Sequence, residues 1–131
     1  MIGLDTNVIV RYLVQDDPVQ SARATDLIEH ELTEQNPGFL CVVVMAEIAW
    51  VLERAYHLHS SQITTAIERL LQADVLFVED QQEVFTAISS VRAGFGSFAD
   101  ALIAALNLRA GCSSTVTFDR RAVRLPGFDP L

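Results

Sequence analysis

The feature that most limits the fold is an alternation of short apolar runs with stretches of helical length and pattern. Met1–Asp5, Phe39–Val42, Val75–Val78 and Ser114–Phe118 read as strands, the first of them buried. Asn7–Val14, Val19–Leu32, the stretch around Glu47, the segment capped by Ser61, Gln81–Val91 and Phe98–Arg109 read as helices, and Arg120–Arg124 as a final helical turn. Punctuation supports these boundaries. Asp17 suits an N-cap and Pro18 the first helical position. Asn36-Pro37-Gly38 is a turn signal, Gly111 suits the position after a helix, and Pro126-Gly127 stops the last turn. Strands that alternate with helices imply a parallel sheet covered on both faces. The expected fold class is therefore α/β, a three-layer α/β/α sandwich around a central parallel sheet.

At 131 residues, half of them hydrophobic, the chain is expected to be one domain spanning 1–131. It shows no repeat, linker or low-complexity stretch. No apolar run approaches the roughly 18 residues of a membrane span, and no basic segment leads into a secretory core at the N-terminus. Cys41 and Cys112 lie in no ligand or redox pattern and are expected as buried, reduced thiols in a cytoplasmic protein. The net charge is −8, and all nine basic residues are arginines. Such a chain is a poor passive binder of nucleic acid, because phosphate attraction depends on basic surface. A nuclease with locally placed arginines remains compatible with this charge. Arg120, Arg121 and Arg124 follow closely on Asp119 and are the candidates for phosphate contacts, with ordinary surface charge as the alternative.

The charge pattern inside the apolar runs is more specific. Glu47 is the only charged side chain between Val42 and Leu52, and on a helix its neighbours are Val43, Val44, Trp50 and Val51. A carboxylate so surrounded is expected to be shielded from water, and then needs either a partner or a proton. Asp5 ends the first apolar run, Asp100 is the lone charge in Phe98–Leu106, and Asp119 ends the last strand. Each has a structural alternative. Asp5 suits the cap of the first helix, Asp119 the cap of the Arg120 turn, and Ser97 with Asp100 a capping box. Glu47 alone has neither a cap position nor a basic partner one turn away.

The joint reading is chemical. In a doubly covered parallel sheet the ligand crevice lies at the carboxyl ends of the strands. Asp5 and Asp119 stand at such ends, and Glu47 and Asp100 near helix starts that face the same edge. Carboxylates about 5 Å apart repel by about 3 kcal/mol at an effective dielectric near 20, so a site holding several needs a cation or protons. Mg²⁺ or Mn²⁺ takes hard oxygen ligands, one or two of them carboxylates, and keeps waters that the remaining acids orient. Its chemistry is activation of water and polarisation of a phosphoryl oxygen.

Other residues read more plainly. His57 and His59 are not at metal-ligand spacing and are assigned to the surface. Trp50, Phe98 and Phe118 offer rings for base stacking but are assigned to the core, as are Ile9, Tyr12 and Leu13 of the first helix.

At these residues the chain resembles the PIN domain family, and within it the ribonuclease toxins of VapBC-type toxin–antitoxin modules. The resemblance runs over nearly the whole chain in order: Leu4-Asp5-Thr6-Asn7-Val8 with Val10-Arg11-Tyr12-Leu13, Ala46 to Leu52 around Glu47, Phe98 to Ala104 around Asp100, and Thr117-Phe118-Asp119 with Leu125-Pro126-Gly127. It implies an acidic pocket of Asp5, Glu47, Asp100 and Asp119 for Mg²⁺ or Mn²⁺. Asp5 and Asp100 would be direct ligands, Glu47 and Asp119 would act through waters, and Asn7 and Thr117 would hold acids and waters by hydrogen bonds. It further implies hydrolysis of RNA, often tRNA or rRNA, by a homodimer restrained by a cognate antitoxin protein. One position departs: relatives often carry Asp-Phe-Ala-Asp where this chain has Ser97-Phe98-Ala99-Asp100, which bears on metal stoichiometry. A non-catalytic PIN-like protein that only binds an antitoxin is the alternative. A structure-specific DNA nuclease is a further one, though such enzymes carry more acids and helical arches. Phosphoacceptor domains and aspartyl-phosphate phosphatases are set aside because they need a lysine, and this chain has none.

Overall fold

The computed structural model describes residues 1–131. The chain runs β1 (Ile2–Gly3), α1 (Thr6–Val14), α2 (Pro18–Asp26), β2 (Gly38–Leu40), α3 (Val42–Arg54), α4 (Ser60–Gln72), β3 (Leu76–Val78), α5 (Gln81–Arg92), α6 (Phe98–Arg109), β4 (Thr115–Thr117) and β5 (Phe128–Pro130). The first three strands form a parallel sheet in the order β1-β2-β3, with Ile2 opposite Gly38 and Gly38 opposite Leu76. Two helices separate each neighbouring pair, which is the kind of crossover that parallel strands require. The fold is thus α/β, a parallel sheet flanked by six helices.

Two strand expectations need correction. β1 is not buried: Ile2 and Gly3 are exposed, because β1 is an edge strand with a neighbour on one side only. Ser114–Phe118 is not the last strand, since β4 pairs in parallel with β5, Thr115 opposite Phe128. Phe128-Asp129-Pro130 has no alternating pattern to announce it. Buried Phe128 anchors the segment, and its proline is tolerated because the strand has a single partner.

One apolar cluster joins the layers. Leu40 from the central strand belongs to it with Ile9, Met45, Ile48, Leu52, Ile67, Val84 and Ile88, all essentially without exposure. Ile9 is in the core as expected, while Tyr12 and Leu13 are only partly buried against it. Helix α3 shows how burial divides. Met45, Ile48, Ala49 and Leu52 recur at helical spacing and face inward. Val43, Glu47, Trp50 and Arg54 recur on the opposite face and are exposed. The expectation that Glu47 is shielded from water is therefore wrong. A helix apolar on nearly every side still turns one stripe outward when only one face meets the apolar cluster.

Helix ends follow local chemistry. The Asp17 carboxylate accepts from the Val19 and Gln20 N–H groups at 3.1 and 2.9 Å and starts α2 as expected. Past Asp26 that helix widens into a π-turn at Leu27–Glu31, where the Leu32 N–H donates to the Leu27 carbonyl at 2.9 Å. Ile28 and Leu32 are both buried there. The cap of α4 is His59 rather than Ser61, and the Gln62 side chain accepts from the His59 N–H at 2.9 Å. Cys41 precedes α3 without a capping bond, and Glu79, just past β3, supplies the missing acceptor to the Val42 N–H at 3.0 Å. Cys41 is half-buried and Cys112 exposed, so neither is the fully buried thiol expected.

The sheet leaves no room at Gly38. A Cβ there would stand 2.6 Å from Leu4 Cδ1 and 2.9 Å from Leu32 Cδ1. Gly38→Ala is expected to lower stability by about 1–3 kcal/mol through overpacking, measurable by urea titration; a cost near zero would show that the leucines move freely.

Surface ties join the helices. Arg92 pairs with Glu68 at 2.6 Å between α5 and α4. Tyr56 Oη donates to Asp16 at 2.7 Å and receives a hydrogen bond from Arg11 at 3.0 Å. Arg109 holds Asp80 and Glu83 at the start of α5. The hydrogen bond from Arg92 holds the Glu68 carboxyl below its ordinary range, and the Tyr56 hydroxyl, then Arg11, does the same for Asp16. Depressed native values stabilise the fold above the unfolded value and lose that effect as pH falls through the native one. Acid melting should therefore be less steep in Glu68→Gln, whose midpoint should change less than wild type below the ordinary value of 4.5. Parallel midpoint-against-pH curves would remove Glu68 from the acid response.

Candidate active site

Asp5 leaves β1 in extended backbone, φ −81° and ψ 158°, at the N-cap position of α1. Its carboxylate makes no capping hydrogen bond, so the capping role is not what it does. The next residue is the informative one. Thr6 is buried, and its Oγ1 donates to Glu47 Oε2 at 2.6 Å. Exposed Glu47 needs no partner for its charge, but this hydroxyl across the α1–α3 contact ties its carboxylate to the start of α1. Reasoning from the sequence missed Thr6. The only signal was its place between Asp5 and Asn7 at the first helical position, where a short hydroxyl can reach a facing helix.

Asp100 stands in the first turn of α6, where a negative charge suits the helix dipole. The Ser97 Oγ accepts from the Asp100 N–H at 3.2 Å. Only this half of the capping box forms, so the cap uses the Asp100 backbone and not its carboxylate. Asp119 does cap its turn: Oδ1 accepts from the Arg121 N–H at 2.8 Å. The Thr117 Oγ1 accepts from the Asp119 N–H at 3.0 Å and fixes the loop that carries this acid. No ion pair engages Asp5, Glu47, Asp100 or Asp119.

Asp100 and Asp119 share the wall of one cleft of about 710 Å³, together with Trp50, Arg54, His59 and Arg121. Asp5 and Glu47 are not on that wall. No three His, Cys, Asp or Glu side chains come close enough together to hold a metal ion among themselves. The donor chemistry nevertheless suits a hard divalent cation, which asks for one or two carboxylates and completes its shell with water.

Of the candidate arginines, Arg121 lines the cleft, whereas Arg120 and Arg124 are exposed on the same turn and do not. Arg54 is on the wall and was not foreseen, although it follows Trp50 by one helical turn. Asn7 is exposed on a different wall, the groove between α1 and α2, with Arg11, Gln20 and Arg23. Trp50 is 58% exposed and Phe118 84%, so neither is a core ring as expected; Phe98, at 4%, is one.

The sequence profile of the PIN domain matches residues 2–127. The chain belongs to the PIN domain family. PIN domains are a family of metal-dependent nucleases. The matched span of this PIN domain includes Asp5, Glu47, Asp100 and Asp119. A comparison with curated proteins finds no match. No helix of the PIN domain is long and apolar enough to cross a membrane.

Proposed function

We propose that this PIN domain is a metal-dependent endoribonuclease toxin of a VapBC-type toxin–antitoxin module, acting on tRNA or rRNA in the cytoplasm. The observation that carries the reading is the cleft itself. In a protein of net charge −8 it gathers Asp100, Asp119, Arg54 and Arg121 around one cleft, and neither arginine is spent on an ion pair. Carboxylates beside unpaired arginines suit a phosphodiester: the acids attract a cation, and the guanidinium meets phosphate oxygens.

On the family pattern Asp5 and Asp100 would hold Mg²⁺ or Mn²⁺ directly and Glu47 and Asp119 would orient its waters, although only Asp100 and Asp119 line the same cleft. The ion, when bound, supplies water activation and phosphoryl polarisation. Thr6 keeps Glu47 in one rotamer, and Thr117 keeps Asp119 in place. Arg121 would contact the substrate phosphate, with Arg120 and Arg124 beside it. A cognate antitoxin would restrain the enzyme, and the working form would be a homodimer.

The test is incubation of purified protein with total tRNA and rRNA in Mg²⁺, Mn²⁺ or EDTA. Discrete cuts that need metal support the proposal. Intact RNA in every condition moves the weight to a non-catalytic protein that only binds an antitoxin. Binding of metal to the folded state should also raise its stability, by about 1.4 kcal/mol at tenfold excess over Kd. A thermal midpoint indifferent to millimolar Mn²⁺ would count against the acids as ligands.

A further inference from the structure

Trp50 is the only tryptophan in the chain, and the core closes without it. It stands three residues after Glu47 on the outward stripe of α3, about 4.5 Å further along the axis. The Arg54 guanidinium lies over its ring, 5.8 Å from the centroid. This contact restrains both groups without removing either from the surface. Both line the cleft that holds Asp100, Asp119 and Arg121.

We infer that Trp50 and Arg54 form a stacking site for one unpaired RNA base next to a phosphate that Arg121 contacts on the same cleft wall. The inference deepens the nuclease reading and rests on it. A net charge of −8 weakens the general attraction to phosphate on which most nucleic-acid binders draw. Stacking on an aromatic ring or a guanidinium plane is insensitive to that charge and accepts any base. The base must be unpaired, because a paired base has its faces covered within the helix and the deep groove of duplex RNA excludes side chains. The cleft, at about 710 Å³, is within the size range of small-molecule pockets.

The lone tryptophan makes the test direct, since its emission reports on stacking without any turnover. Full-length protein in EDTA is titrated with a short single-stranded RNA and with a blunt duplex of the same sequence. Fluorescence of Trp50 and anisotropy of labelled RNA are followed together. The single strand should quench Trp50, and the duplex should not. Trp50→Ala should weaken single-strand binding about 5- to 100-fold, and Trp50→Phe should recover most of it. Equal binding by Trp50→Ala with unquenched emission in the wild type overturns the stacking site while metal-dependent cleavage leaves the nuclease standing. Absence of both RNA binding and RNA cleavage overturns the nuclease reading and the site with it. Loss of a dimer in sedimentation of Trp50→Ala, with RNA binding unchanged, assigns the stripe to a second copy of the chain and overturns the proposal.

Discussion

Asp100→Asn should abolish metal-dependent RNA cleavage and leave the protein folded. The amide is the same size as the carboxylate, and the Asp100 N–H can still donate to Ser97 Oγ. The first turn of α6 loses a charge that favours its dipole, worth about 0.3–1 kcal/mol. Against that, like-charge repulsion from Asp119 on the same wall is relieved. The two effects oppose one another, so the thermal midpoint should stay within a few degrees. Activity has no such compensation. An amide oxygen carries no charge and is a weak ligand for a hard cation, so metal-dependent cleavage should be lost. Initial cleavage rates in Mn²⁺, measured beside a thermal melt, separate the two. A variant that cleaves normally would reduce Asp100 to a helix-start residue, and one that fails to fold would make it structural.

Ile48→Ala should do the opposite. Ile48 is adjacent to Glu47 in sequence but has no exposure, and it packs in the cluster with Met45 and Leu52. Removing its side chain should cost about 2–5 kcal/mol, a transfer loss plus a cavity. Domains of this kind are stable by only about 5–15 kcal/mol. The midpoint should therefore fall by roughly 10 °C or more, while cleavage per folded molecule at low temperature changes little. Urea titration checks the first statement and an active-fraction assay the second. A loss below about 1 kcal/mol would mean that the inner face of α3 is not the core.

These neighbours show where reading a sequence succeeds. Strand and helix identities were legible because each rests on local pattern: Asp17-Pro18 opens α2, Asn36-Pro37-Gly38 leads into β2, and Leu76–Val78 is an apolar run. The order of the motifs around Asp5, Glu47, Asp100 and Asp119 was legible as well, and the family match covers them all. The faces of α3 were not legible. Its residues are apolar on nearly every side, so periodicity could not say which stripe meets the sheet, and Glu47, Trp50 and Arg54 were misplaced or missed. β5 was hidden for a related reason: three residues ending in proline form a strand only because β4 is there to pair with them.

The amino-acid sequence by itself determined most of the alternating elements, the Asp17 cap, the parallel topology they require, and four acids placed against the local hydrophobic grain. Those depend on neighbours within a turn or two, where backbone propensity and hydrophobic period act. Only the tertiary structure decided that Thr6 holds Glu47, that Asp100 and Asp119 share a cleft, and that Trp50 and Arg54 face outward onto it. Each of those facts joins residues from different elements, and no local pattern encodes which surfaces the packing of helices on the sheet will leave uncovered.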